Sequence, residues 1–297
     1  MNSHPRLVVA ISSRALFDLD ASHEIFVHDG LDVYRKHQID HETEPLPPGV
    51  AFPVVRKLLA LNNNQLGTQL VDVVLLSRNT ADTGLRILRS VQHHGLDIER
   101  AVFTGGAPVH PYAAALQATL FLSAERQDVV DALDASIPSA LLLSSATPDT
   151  TSNQLRIAFD GDAVLFSDES ERIYQQEGLE AFNRHEKEAA NIPLPGGPFR
   201  PFLAALHNIQ SLFPAEPSPI RTALVTARGS PAHERVVRTL RSWNIRIDEA
   251  FFLAGLSKGE FLRQFKADIF FDDQQKHCES ARKHVATGQV PYETTNK

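Results

Sequence analysis

The sequence predicts an α/β protein made of two tandem lobes, each built round a parallel sheet with helices on its faces. Three observations carry that prediction. Short β-branched and apolar runs alternate with stretches of helical periodicity, the pattern of a sheet covered on both sides. The second half repeats the first: Gly30-Leu31-Asp32 returns as Gly178-Leu179-Glu180 and Pro45-Leu46-Pro47 as Pro193-Leu194-Pro195, each 148 residues on (178 − 30 and 193 − 45). The strand-like runs also end abruptly in polar residues, most sharply at Asp160-Gly161-Asp162, and open α/β sheets keep their ligand crevices at such strand ends.

In chain order, Leu7 to Ile11 reads as a buried strand stopped by Ser12-Ser13-Arg14. Helical patterning runs from about His23 to His37, followed by a hinge at Pro45-Leu46-Pro47-Pro48-Gly49 and an apolar helix from Phe52 to Leu61. Val71 to Leu76 is a strand ending at Ser77-Arg78-Asn79; a helix through Leu85, Ile87, Leu88 and Val91 follows, and Ala101 to Phe103 ends in Thr104-Gly105-Gly106. Leu120-Phe121-Leu122 closes the lobe. Ser144 to Gln154 has linker composition, which sets the expected lobes at 1–148 and 149–297. In the second lobe Ala223-Leu224-Val225-Thr226 repeats Val74-Leu75-Leu76-Ser77 after a one-residue slip (226 − 77 = 149), and Ile269-Phe270-Phe271 repeats Leu120-Phe121-Leu122. The stretch from Phe166 to Pro219 carries a helical segment, Glu169 to Ala190, read as a small cap. The tail from Thr287 to Lys297 reads as loosely held, with Val290-Pro291-Tyr292 able to dock on the surface.

Composition narrows the function. With 297 residues, 42% of them apolar, a sizeable core fits. Twenty-nine Lys and Arg against 36 Asp and Glu give a net charge of -7, which disfavours nucleic acid or an anionic membrane as partner. The single Cys278 excludes an intramolecular disulfide. No signal-peptide core or membrane-length apolar run is visible, so the expectation is a soluble, cytoplasmic protein. A homo-oligomer is compatible with the sequence. The chain has no complete Walker A loop, dinucleotide fingerprint, Gly-x-Ser-x-Gly elbow or His-Glu-x-x-His. Zinc is therefore disfavoured, and the pairs His93-His94 and His277/His284 are read as solvated.

What the second lobe places at its strand ends suits phosphoryl transfer. Asp160 and Asp162 follow the first strand, Thr226 the next, Lys258 lies in a loop, and Asp272-Asp273 follow Ile269-Phe270-Phe271. A carboxylate can attack phosphorus and split one hard displacement into two steps. Carboxylates holding Mg²⁺, with a lysine nearby, offset the charge of an anion meeting an anion, and a hydroxyl such as Thr226 holds phosphoryl oxygens. Asp162 is placed to protonate the leaving alkoxide and then activate water. Arg228, two residues past Thr226, is a further phosphate ligand or a structurally paired arginine.

This set resembles the haloacid dehalogenase superfamily of phosphatases, whose pattern is Asp-x-Asp, Thr or Ser, Lys, then an acidic pair. The likeness implies two Rossmann-like lobes of that type, with Asp160 as nucleophile, Asp162 as acid and base, Thr226, Lys258 and Arg228 on the phosphate, and Asp160, Asp162, Asp272 and Asp273 round Mg²⁺, Asp273 in a supporting place. Phe159 to Glu171, Leu224 to Arg228 and Ile269 to Gln274, with Ala10 to Phe17 and Phe103-Thr104-Gly105-Gly106 in the first lobe, look more narrowly like the type I cytosolic 5′-nucleotidases. That resemblance implies hydrolysis of nucleoside 5′-monophosphates, with AMP and deoxynucleotides as substrates. The alternatives are the same chemistry on a sugar phosphate or other small phosphomonoester, and a non-catalytic nucleotide sensor. Phe166, Tyr174, Phe182 and Phe199 are candidates to face a base, although residues at the helical spacing of Ile173, Leu179 and Phe182 more often fill a core than a base pocket.

At the matching positions the first lobe has Ser12 for Asp160, Arg14 for Asp162, Val109 for Lys258 and Ser123-Ala124 for Asp272-Asp273. Nucleophile, lysine and metal ligands are missing, so this lobe is expected to be catalytically dead. It is either a buttress or a metal-free anion or nucleotide effector site using Ser12, Arg14, Ser77 and Thr104.

Overall fold

The apolar runs form strands buried on both faces, as continuous hydrophobic patterning requires: every residue of β1 (Leu7–Ile11) and β2 (Val71–Ser77) is buried. The computed structural model describes residues 7–64, 66–145, 152–213 and 218–291. The chain is α/β and falls into two units, Met1–Ile137 and Pro138–Lys297.

In the first unit β3 (Arg100–Phe103) and β4 (Leu120–Ser123) complete the order β3-β2-β1-β4, with parallel pairing throughout. Between them run α1 (Ser13–Leu16), α2 (Asp20–Asp29), α3 (Leu31–Asp40), α4 (Phe52–Ala60), α5 (Ala81–His93), α6 (His110–Ala115) and α7 (Arg126–Asp134). The single helical stretch expected from His23 to His37 is two helices. Gly30 at φ +87° divides them, a conformation that favours glycine and breaks the helical ladder. The strand order reverses at β1 while the strands stay parallel, so Ser12, Ser77 and Ser123 gather at one edge, the usual place for a ligand crevice.

The second unit contains β5 (Ser139–Leu143), β6 (Leu155–Phe159), β7 (Ile220–Thr226), β8 (Glu249–Phe252), β9 (Ile269–Asp272) and β10 (Thr287–Gln289), in the order β5-β10-β9-β6-β7-β8. Its helices are α8 (Glu169–Glu188), α9 (Arg200–Gln210), α10 (His233–Ser242), α11 (Gly259–Phe265) and α12 (Gln275–Ala281). Gly178 at φ +83° breaks α8 as Gly30 divides its counterpart. This sheet is mixed rather than wholly parallel, because β10 pairs parallel with β9 and antiparallel with β5. That pairing also places β5 in the second unit, ahead of the 148/149 border expected from linker composition. It corrects the tail as well: Thr287–Gln289 is a buried strand, and Val290 is fully buried with its N–H on Asp272 O at 2.9 Å. Gly288 makes the fit, since a Cβ there would lie 2.8 Å from the Phe271 ring and 2.9 Å from Ala140. Residues 292–297 of the tail and 146–151 of the expected linker lie outside the described residues.

The repeat extends to anchoring contacts. Ser90 Oγ accepts the Leu46 N–H, and Thr239 Oγ1 accepts that of Leu194, both at 2.9 Å, so each hinge is pinned to the same helix of its own unit. A Cβ on Gly49 would meet Phe17 C at 2.8 Å, and one on Gly197 would meet Phe166 O at 2.3 Å. Phe159, Phe199, Phe202 and Phe271 form an aromatic cluster beneath the second unit's strand ends. No helix among the described residues is long and apolar enough to cross a membrane.

Candidate active site

Parallel strands that end together bring distant sequence segments into one cluster. Asp160 follows β6, Asp272 ends β9 with Asp273 next to it, and Lys258 stands at the start of α11. Lys258 Nζ donates to Asp160 Oδ1 and to Asp272 Oδ2, each at 2.6 Å, and all three side chains are buried. The other Asp272 oxygen accepts the Gln274 N–H at 2.9 Å. Burial pushes the Asp160 carboxyl up to about 7, with Asp272 and Asp162 adding to the rise and Lys258 opposing it. Burial and the charges of Asp160 and Asp272 push Asp273 up to about 8. Asp272 goes the other way: burial works against its charge, but Lys258 and His277 hold it below the usual carboxylate value.

The carboxylates outnumber the lysine, and one oxygen is unmatched. Asp273 Oδ1 is buried without a hydrogen-bond partner, and ligand atoms of Asp160, Asp272 and Asp273 lie within 4.8 Å of one another. An all-oxygen set with surplus negative charge and a free lone pair fits a hard divalent cation such as Mg²⁺.

Asp162 is not in that cluster. Its two oxygens accept from Arg228 Nε at 2.8 Å and Nη2 at 2.6 Å, a bidentate pair. Arg228 Nη1 continues to Glu186 Oε2 at 2.5 Å, while Arg235 Nη1 and Ser170 Oγ reach Glu186 Oε1 at 2.9 and 2.8 Å. Burial works against charge at both Arg228 and Glu186. Even so, the guanidinium is held more basic than usual by Asp162 and Glu186, and the Glu186 carboxyl is held below its usual value by Arg228, Ser170 and Arg235. Arg228 is thus structurally paired, although it is adjacent to the chemistry. Thr226 Oγ1 accepts the Arg228 N–H at 3.2 Å, which leaves its own hydroxyl hydrogen to donate.

The turn after β6 is irregular. Asp162 leaves helical geometry (φ −69°, ψ 142°), and Ala163 takes φ +57° before the chain reaches the buried Phe166. In the first unit Ser12 caps α1 instead, its Oγ accepting the Ala15 and Ala124 N–H groups at 3.3 Å. Arg14 pairs with Glu125, Val109 is buried at the start of α6, and Ser123 is buried. Ser12, Arg14 and Ser77 line one cavity. Thr104 is not among its lining residues; its hydroxyl donates to Ala107 O at 2.7 Å.

Of the aromatic candidates, Phe166 and Phe199 are wholly buried core residues. Tyr174 packs edge-on against Phe182, and the Phe182 ring lies 5.4 Å from the Arg228 guanidinium. Leu179, read as core, is 60% exposed because the break at Gly178 turns it outward. Two histidines read as solvated are not: His277 Nδ1 lies 3.3 Å from Asp272 Oδ2, and His94 Nε2 contacts Leu46 O at 2.8 Å while packing on Phe17 and Phe52. Glu186, Arg235 and Ser170 were missed, since a polar residue on a polar helix gives no periodic signal of burial. Their available signal was the repeat, which aligns Glu186 with the equally buried Gln38 (186 − 148).

A family model described as 5′-nucleotidase matches residues 1–297. Human cytosolic 5′-nucleotidase 1B is 38% identical over 288 residues, covering 93% of this chain and 47% of that protein. The chain therefore spans about half the length of that curated relative. No solved structure matches the chain.

Proposed function

The chain belongs to the 5′-nucleotidase family, and on that premise we propose that it is a magnesium-dependent phosphatase of the haloacid dehalogenase type, hydrolysing nucleoside 5′-monophosphates to nucleoside and phosphate. AMP and deoxynucleotides are the proposed substrates and the cytosol the proposed location. On this reading residues 149–297 form the catalytic lobe, with a cap around 166–219, and residues 1–148 a degenerate copy. The observation that carries it is Lys258 bridging Asp160 and Asp272 beside the unmatched oxygen of Asp273.

Asp160, Asp272 and Asp273 would hold the magnesium ion, whose charge would offset that of the phosphoryl oxygens and of ionised Asp160. An Asp160 oxygen attacks phosphorus; its bond to phosphorus forms as the bond to the 5′-oxygen breaks, and Asp162 gives the leaving oxygen a proton. Asp162 then takes a proton from water, whose oxygen displaces Asp160 and frees phosphate. Thr226 and Lys258 hold the phosphoryl oxygens. Asp162 must release Arg228 before it can carry a proton, and a phosphoryl group offers the guanidinium a bidentate partner in exchange. Arg228 therefore moves from the acid to the substrate as the phosphate arrives.

Phosphate release from a panel of nucleoside monophosphates and sugar phosphates, with magnesium or EDTA, tests the proposal. Magnesium-dependent release from the nucleotides supports it. A preference for sugar phosphates would make this another phosphomonoesterase, and binding without release would make it a sensor.

A further inference from the structure

The first unit has lost the catalytic charges but kept a cap and a cavity. Phe26 and Tyr34, four residues either side of Gly30, pack edge-on with centroids 5.8 Å apart at 76°. In the second unit Tyr174 and Phe182 flank Gly178 in the same way, 6.2 Å apart at 82°. Beneath the first pair lies a cavity of about 700 Å³, lined by the cap residues His23, Phe26, Leu31 and Tyr34 and by the strand-end residues Ser77 and Asn79. That is the size of a small-molecule site.

Apart from Asp32, which adds a further carboxylate, the charged groups of its lining are already paired. Arg14 pairs with Glu125, Arg35 with Asp82 at 2.6 Å, and Arg78 with the buried Asp128. A phosphate entering here would have to break those pairs and face their carboxylates, without the lysine or metal ligands of the other unit. The floor is a network of uncharged groups instead. Tyr34 Oη donates to Asn79 Oδ1 at 2.7 Å, Asn79 Nδ2 donates to Ser77 Oγ at 3.0 Å, and Ser77 and Ser13 share a hydrogen bond at 3.0 Å. At four positions the repeat exchanges charge for neutral hydrogen-bonding groups: Asp160 for Ser12, Asp272 for Ser123, Glu186 for Gln38 and Arg228 for Asn79 (228 − 149), while Lys258 gives way to Val109 and Asp162 to the ion-paired Arg14. The aromatic pair is what survives.

We propose that the first-unit cavity binds an uncharged nucleoside, the dephosphorylated counterpart of the substrate, with its base against Phe26 and Tyr34 and its polar edges on the Asn79 network. The choice of a nucleoside rests on the activity proposed above. An uncharged ligand departs from the anion expected from Arg14, whose two terminal guanidinium nitrogens are taken by Glu125 and Asp20, leaving only Nε without a partner among the described residues.

Equilibrium dialysis of the full chain carrying Asp160→Asn, with adenosine, AMP and inorganic phosphate as probes, tests this. Adenosine binding is expected to weaken about tenfold or more in Phe26→Ala, the loss of one stacking face, and comparably in Leu31→Trp, which obstructs the cavity. Both positions are exposed, so folding is not at stake. Inorganic phosphate should not compete, and AMP should bind the Phe26-dependent site no better than adenosine. Binding that is indifferent to both variants, that depends on Phe182 instead, or that favours AMP overturns the proposal. The two readings fail separately. Adenosine binding that depends on Phe26 in a chain releasing no phosphate from nucleotides would sink the activity alone, whereas nucleotide hydrolysis without such binding would sink this site alone.

Discussion

Replacing Glu186 by Gln probes the ion network from which the proposed acid hangs. The Glu186 side chain is fully buried and receives two guanidinium groups whose side chains are 2% and 3% exposed, so its charge is what makes their burial tolerable. Removing one partner of such a buried set costs about 3–5 kcal/mol. The amide keeps a hydrogen-bond acceptor, which places the expected loss near the lower end, about 3 kcal/mol. Gln38 shows why an amide suffices in the first unit: among the described residues one guanidinium, that of Arg86, donates to it, at 3.3 Å, and Asn79 stands where a second arginine would be. The chain's single tryptophan, Trp243, ends α10 and packs 5.5 Å from Phe166, so its fluorescence during urea unfolding follows the second unit. The sign of the pH dependence is fixed by the direction of the shift. A carboxyl held below its unfolded value of 4.5 stabilises the fold fully above that value and loses its contribution as pH falls through the folded one. The gap between parent and variant should be constant from neutral pH to about pH 5 and shrink below about pH 4. A gap under about 1 kcal/mol at neutral pH, or one that persists in acid, would refute the reasoning.

Asp160→Asn should lower phosphate release by several orders of magnitude while Ser12→Ala leaves it within about twofold; retained turnover in the first variant removes the assigned nucleophile. Because Asp160 and Asp273 are pushed up to about 7 and about 8, the metal-free second unit should lose stability as pH rises towards those values. Magnesium, which needs both deprotonated, should raise the Trp243 melting temperature more at pH 8.5 than at pH 6, and an equal shift at both would count against these ligands. Gly197→Ala should destabilise the second unit by about 2–4 kcal/mol, since its Cβ would meet the Phe166 and Val164 carbonyl oxygens at 2.3 and 2.5 Å. An unshifted Trp243 urea midpoint would show that this approach relaxes freely.

What could be read from the sequence was whatever depends on strand ends. Apolar runs stop where the chain leaves the sheet, so Asp160, Thr226, Asp272 and Asp273 could be assigned to one edge before any coordinates, with Lys258 added from a loop by the superfamily pattern, and Asp160, Lys258, Asp272 and Asp273 do converge there. Contacts made by helices onto that edge were not legible. Glu186 and His277 lie among polar neighbours, and only the packing of α8 and α12 decides that they face inward. The strand at Thr287 was hidden for another reason: its Thr-Gly-Gln carries no β-branched run, and it is a strand because β9 and β5 offer it pairing on both sides.

The proposed division into a catalytic and a silent copy has a backbone difference behind it as well as a difference in residue type. From the strand end to the buried phenylalanine the first unit runs Ser12-Ser13-Arg14-Ala15-Leu16 and the second Asp160-Gly161-Asp162-Ala163-Val164-Leu165, one residue more. The shorter loop closes into a regular turn capped by its own serine, with Arg14 in helical geometry. In the longer loop the extra residue is absorbed by the positive φ of Ala163, which leaves Asp162 extended, with its carboxylate on Arg228. A carboxylate at position 14 would therefore not occupy the place of Asp162. The first unit thus differs from the second in the path of its chain as well as in its residues, and this explains why Arg14 turns to Glu125 rather than taking up an acid's position.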